Sequence, residues 1–165
     1  MTLSMKEIRA EVLESGGKTP LLRVKELGER FPNSIALRNK EFGIWNEISY
    51  SEFWNRCTYV ASALINFGVN KGDKVAVHSE NRPEWFISDL GIQAAGAVTV
   101  GLYPTNPKSE VEYLLGHSET VIVFAEDQEQ VDKALAVLEN LPFLKKIVYF
   151  DDKGMYKYDS DYLIS

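Results

Sequence analysis

The sequence predicts an α/β protein, a parallel βαβ sheet layered with helices and preceded by further helices and a small hairpin. Three observations predict it. From Val75 onward, short β-branched runs alternate with segments of helical period. Those runs are continuously apolar, as strands covered on both faces are. Helix-start chemistry recurs at the junctions, and strands separated by helices of this length form parallel units with right-handed crossovers.

The elements follow in order. Ser4 to Glu14 and Pro20 to Phe31 have the spacing of amphipathic helices. IALRN and WNEISY form a hairpin turning near Gly43. Ser49 with Glu52 starts a longer helix ending near Phe67, with Phe53, Cys57, Val60, Ala61 and Leu64 on one stripe. Gly68 closes it, and VNKGD turns the chain into the first core strand.

KVAVHSE (Lys74–Glu80) is that strand, and Pro83 to Ala95 is helical, with Pro83 at a first position where its missing N–H has no partner to lose. AVTVGLY (Ala97–Tyr103) is the second strand and SEVEYLLG (Ser109–Gly116) the second helix. TVIVFAE (Thr120–Glu126), a helix over Asp127–Leu141 and KKIVYFD (Lys145–Asp151) complete the core. In that last helix Val131, Ala134, Leu135 and Leu138 fall at i, i+3, i+4 and i+7. Ser109 with Glu112 and Asp127 with Gln130 are spaced as capping boxes, and Gly96 and Gly116 stand where left-handed C-caps belong. The small residues of GIQAAGAV let a helix lie close to the sheet. Three regions result: helices and hairpin over 1–48, the βαβ core over 49–151, and a polar tail with no clear period over 152–165.

Composition narrows the function. The 165 residues suffice for one domain that buries roughly 70% of its unfolded surface. With 18 Lys plus Arg against 24 Asp plus Glu and no basic cluster, nucleic acid is an unsuitable partner. A single cysteine forms no internal disulfide, no signal peptide or N-glycosylation acceptor occurs, and no run approaches the ~18 apolar residues of a membrane span. A reducing, cytoplasmic setting follows, and it leaves room for a peripheral membrane association.

Several local patterns suggest chemistry and fail on context. Gly16-Gly17-Lys18-Thr19 resembles the end of a phosphate loop, but Val12 stands where its first glycine is needed and a helix precedes it. Cys57 lies on an apolar stripe, where a thiol is structural. His78 and His117 have no ligand at metal spacing, no G-x-G-x-x-G occurs, and Ser118 is not on a nucleophile elbow. Two corners remain, Asn81-Arg82-Pro83-Glu84 and Tyr103-Pro104-Thr105-Asn106. Both follow strands at their carboxyl ends, where open α/β sheets bind ligands. Asn, Pro and Thr are also ordinary turn and cap residues, so spacing alone leaves both roles open.

The stretch from ISYSEFWNRC through NRPEWFISDLGIQAAGAVTVGLYPT to TVIVFAED resembles the N-terminal part of an adenylate-forming enzyme, the superfamily of acyl-CoA synthetases, luciferases and peptide-synthetase adenylation domains. NRPEW, AAGAV and YPT in this order resemble its long-chain fatty acid–CoA ligase branch, and the likeness runs from about Thr19 to the end. The resemblance implies a two-step reaction: ATP, with Mg2+, and a fatty acid give an acyl-adenylate and pyrophosphate, and CoA then displaces AMP. It also implies that the catalytic motifs, a Ser/Thr/Gly-rich phosphate loop with its lysine, an aromatic-Gly-x-Thr-Glu motif, a ribose-binding aspartate and a later lysine, lie downstream of Ser165. These residues alone are then expected to be inactive and to hold no cofactor tightly. By the same resemblance the Tyr103–Lys108 loop lies near the region approached by CoA, with Thr105 standing about where some relatives carry a basic residue, and Asn81, Arg82, Tyr103 and Thr105 are expected to line the substrate and CoA side. Relatives also dimerise through this end, which makes residues before Phe31 candidates for a homodimer interface. Two other readings are a ligase for shorter or aromatic acids and a stand-alone α/β interaction module without catalysis.

Overall fold

The structure is a computed structural model describing residues 19–165. The expected helix over Ser4–Glu14 and the Gly16-Gly17-Lys18 segment lie outside the described residues. Helix α1 (Pro20–Arg30) starts with Pro20 in its first turn and Thr19 as N-cap, whose hydroxyl accepts from Leu22 N at 3.3 Å. Strands β1 (Ile35–Glu41) and β2 (Ile44–Ser49) pair antiparallel about the Phe42-Gly43 turn. Ser49 Oγ accepts from Glu52 N at 3.2 Å and starts α2 (Tyr50–Asn66), whose stripe of Phe53, Cys57, Ala61 and Leu64 is buried. Gly68, at φ 75°, closes it.

The core alternates β3 (Lys74–His78), α3 (Pro83–Ala94), β4 (Val98–Leu102), α4 (Lys108–His117), β5 (Thr120–Ala125), α5 (Gln128–Leu135), β6 (Lys146–Tyr149) and β7 (Leu163–Ile164). The strands form one parallel sheet in the order β4-β3-β5-β6-β7. After β3 the chain moves out to the β4 edge, then crosses back over β3 to β5. With one crossover hand, that reversal puts α3 on one face and α4 and α5 on the other.

The core has this division. Val75, Val77, Ile122 and Phe124 pack with Leu64 of α2 and Ile92 of α3. Ala76, Val123, Ala125 and Ile147 pack with Val111 and Leu115 of α4 and Val131 and Ala134 of α5. Gly91 of α3 meets α2 closely: an added Cβ would lie 2.5 Å from Val60 Cγ1 and 3.0 Å from Cys57 O. This is the close approach that the small-residue stretch predicts, although it is made to α2 and not to the sheet.

Four local expectations change. The Asp127–Leu141 helix stops at Leu135, and a 3-10 turn at Leu138–Asn140 follows. Tightening to the Val137 N–Ala134 O bond (3.3 Å) lets Val137, Leu141 and Leu144 all reach the core. Ser109 is not a cap, because α4 starts one residue earlier, with Pro107 O accepting from Glu110 N and Val111 N. Gly116 stays helical: Ser118 Oγ donates to Leu114 O at 2.7 Å, and Glu119 takes the left-handed position at φ 55°. In the tail, a 3-10 turn (Met155–Lys157) buries Met155, and β7 then pairs with Ile147 and Val148.

Candidate functional site

The strand order reverses between β3 and β5, and the loops leaving their carboxyl ends are tied together there. Glu126, the first residue after β5, accepts from Glu80 N at 2.6 Å and from Ser79 Oγ at 3.2 Å, and its other oxygen lies 3.4 Å from Arg82 Nη1. Arg82 Nε also donates to Glu84 Oε2 at 2.7 Å, and its guanidinium sits 5.9 Å from the Phe150 ring. Burial opposes the Arg82 charge, but the bond and field of Glu84, then those of Glu126, outweigh it and hold the guanidinium more firmly charged than usual. Glu126 thus holds the β3–α3 loop from the neighbouring strand.

The second loop leaves β4 and is held from α5. Tyr103 and Asn106 close a turn with Pro104 at its second position (Asn106 N to Tyr103 O, 2.9 Å). Pro104 O accepts from Lys133 Nζ at 2.6 Å and, at 3.5 Å, from Gln130 Nε2. Between the two loops lies a cleft of ≈ 390 Å³ lined by Ser79, Glu80, Asn81, Trp85, Gly101, Leu102, Tyr103 and Pro104. Gly101 faces Trp85 across it: a Cβ there would stand in ordinary contact, 3.8 Å from the indole.

Of the residues expected at the site, Asn81 and Tyr103 line the cleft and Tyr103 is 77% exposed. Arg82 does not line it, being turned into the Glu84–Glu126 clamp. Thr105 is exposed on the turn beyond the lining residues. Sequence reasoning missed Trp85 and Glu126. Trp85 was legible, since an aromatic residue in the first turn after a strand-end Pro stands over that strand end. Glu126 becomes functional only through a neighbour 46 residues away.

Beneath the β4–α4 loop lies a buried polar layer. Among the described residues, His78, fully buried at the end of β3, has no hydrogen-bond partner at either ring nitrogen, and neither has Gln130 Oε1 on α5. Burial holds the His78 pKa down to about 4, and the Lys133 cation adds to this; the nearby Tyr103 backbone, Glu129 and Glu126 oppose it. Cys57, on the opposite face, is pushed up to about 12 by burial and, last, by Asp89, with its own backbone hydrogen bond opposing.

Among the described residues Glu80 is the one charged side chain lining the cleft, and the neighbouring cation Arg82 is already engaged. Among the described residues no group of three or more His, Cys, Asp or Glu could hold a metal ion. The lining therefore does not fit a triphosphate with its Mg2+. Its walls suit an uncharged, partly apolar chain, with Asn81 available for hydrogen bonds. No described helix is long and apolar enough to cross a membrane.

The sheet order and the clamped switch point define an open, parallel α/β unit with a cleft at the carboxyl ends of its strands. The AMP-binding enzyme family matches residues 24–162, and the chain belongs to that family. It is 32% identical over 129 residues to the long-chain-fatty-acid–CoA ligase ACSBG2 of Xenopus laevis, covering 78% of this chain and 18% of that protein. It is 34% identical over 123 residues to the long-chain-fatty-acid–CoA ligase FadD15 of Mycobacterium tuberculosis, covering 74% of this chain and 20% of that one. The chain thus spans about a fifth of the length of these curated relatives. A crystal structure titled as a putative long-chain-fatty-acid CoA ligase from Rhodopseudomonas palustris superposes with a TM-score of 0.73 at 24% identity, covering 82% of this chain and 33% of that one; this likeness shows the fold.

Proposed function

We propose that this chain is the N-terminal part of an acid–CoA ligase that activates a long-chain fatty acid with ATP to an acyl-adenylate and passes the acyl group to CoA. The observation that carries the proposal is the cleft at the carboxyl ends of β3 and β4, built by the two loops whose motifs resemble the ligase branch. Asn81 and Tyr103 form its CoA-side lining, Arg82 holds the first loop in place, and Thr105 stands at the rim. A cleft whose one charged lining side chain is the carboxylate of Glu80 suits the amide-bearing arm of CoA better than its phosphates. The residues that bind ATP and Mg2+ belong to other parts of the protein, so the chain alone releases no pyrophosphate.

Relatives named for long-chain acids support the chain length. The test is thioester formation by the natural protein that carries this chain, with palmitate, hexanoate and benzoate compared. ATP- and CoA-dependent product with palmitate is expected. Preference for hexanoate or benzoate keeps the ligase class and removes the chain length. No pyrophosphate release with any acid leaves the non-catalytic module. A homodimer through residues before Phe31 belongs to the same proposal, and a monomer mass by light scattering of the natural protein would remove it.

A further inference from the structure

Beyond the Leu37–Ile48 pair the β1–β2 hairpin leaves the domain. Ile44, Trp45, Asn46 and Glu47 are all exposed, and a Cβ at Gly43 would meet nothing within 4 Å. Its two-residue turn has positive φ at both Phe42 (47°) and Gly43 (82°), the signature of a type I′ turn, for which Asn-Gly is the favoured pair. Phenylalanine occupies the first position with 97% of its surface exposed. It is unfavourable there twice over, as a bulky residue in left-handed backbone and as a hydrated ring. Such an outlier is a reason to look for function.

The neighbours indicate the partner. Ile44 and Trp45 are 68% and 59% exposed. Lys40 lies directly across from Trp45 with its ammonium 5.8 Å from the ring, and Arg38 is 5.8 Å from it on the diagonal. Arg38 is paired with Glu47 at 2.7 Å, whereas Lys40 has no ion pair among the described residues. An aromatic tip, a tryptophan behind it and a lysine beside that match the layering of a lipid interface: acyl boundary, carbonyl zone, phosphates. Ile44 and Trp45 alternate to opposite faces of the ribbon, so the exposed apolar side chains at the tip offer only a few hundred Å² in all, against the roughly 800 Å² per partner of a stable protein interface.

We propose that this hairpin tip docks on a phospholipid surface, with Phe42 and Trp45 entering the acyl boundary and Lys40 meeting the headgroup phosphates. The proposal is independent of the ligase reading, because docking needs no catalysis.

The test is co-sedimentation of the chain with vesicles of phosphatidylcholine, alone and mixed with phosphatidylglycerol. Phe42→Asn separates docking from folding, since asparagine suits the turn better: Tm is expected to hold or rise while vesicle partitioning falls about ten-fold. Lys40→Gln is expected to weaken binding about five-fold on the phosphatidylglycerol mixture and less on phosphatidylcholine alone. Tyr156→Asn, at another exposed aromatic, is expected to change nothing. A parent chain that sediments with neither vesicle overturns the proposal, as does a Phe42→Asn variant that binds like the parent or a Tyr156→Asn variant that loses as much. An unchanged Lys40→Gln variant overturns the phosphate contact. A lipid-free dimer that Phe42→Asn converts to monomer assigns the tip to a second copy instead.

Discussion

The two faces of the central sheet are built to different rules. Under α2 and α3 the packing is close, with valine, isoleucine and phenylalanine from the strands, a glycine that lets two helices nearly touch and, among the described residues, one unpartnered hydroxyl at Thr99. Under α4 and α5 the strand residues are smaller, and at the carboxyl end a histidine and a glutamine are buried with unpartnered atoms. Buried polar atoms without partners are costly, and a stability-driven core would replace them. They lie directly below the loop that forms one wall of the cleft. Most of the unpartnered strand and helix atoms thus lie on the face that holds the cleft, where His78 and Gln130 are buried.

The largest effect should come from disturbing the closely packed face. Gly91→Ala forces a methyl against Val60 and Cys57 O and is expected to cost about 3 kcal/mol in urea unfolding. Adding Val60→Ala should restore part of that loss. Purely additive losses would mean that the close approach is not what the glycine serves.

The polar face is separated by pH. His78 has a folded pKa of about 4 against 6.5 unfolded, so the unfolded chain takes up the proton first as pH falls. Stability from keeping the ring neutral is complete above about 6.5 and is lost progressively towards 4. Over that window the parent should lose up to about 3 kcal/mol relative to His78→Leu, which cannot titrate. Urea midpoints at pH 7 and pH 5 check it, and parallel declines would show that burial does not hold the ring neutral.

A smaller effect is expected at the loop anchor. Lys133→Met removes the donor to Pro104 O and should cost about 1–2 kcal/mol, with faster amide exchange confined to the Tyr103–Pro107 turn. An unchanged exchange pattern would mean that the turn holds itself. Last, the Cys57 thiol should stay unlabelled by a neutral-pH thiol reagent until the chain unfolds, because burial keeps it protonated. Labelling at the rate of an exposed thiol would show that the closely packed face opens.

Much of the fold was legible because it rests on local rules. Ser49, Asp127 and Pro83 start helices as their chemistry requires, with Asp127 Oδ1 accepting from Glu129 N and Gln130 N. The box at Asp127 is only half made, since the Gln130 amide reaches across to Pro104 O. Asn81 and Tyr103 were legible as strand-end residues. Glu126 was not, because its role exists only where two loops from adjacent strands meet. The tail strand was invisible for a related reason, since two residues have no period and β7 exists only by pairing with β6.

By itself the sequence determined the α/β class, the positions of the strands before the tail, most helix starts and the two corners that bound the cleft. Periodicity and capping act over a few residues and need no partner from elsewhere. Tertiary structure alone decided which face each helix covers, where the last helix breaks, that Arg82 turns into a clamp instead of the cleft, and that His78 is buried uncharged. Those outcomes depend on distances between residues far apart in the chain, and such distances exist only once the sheet has formed.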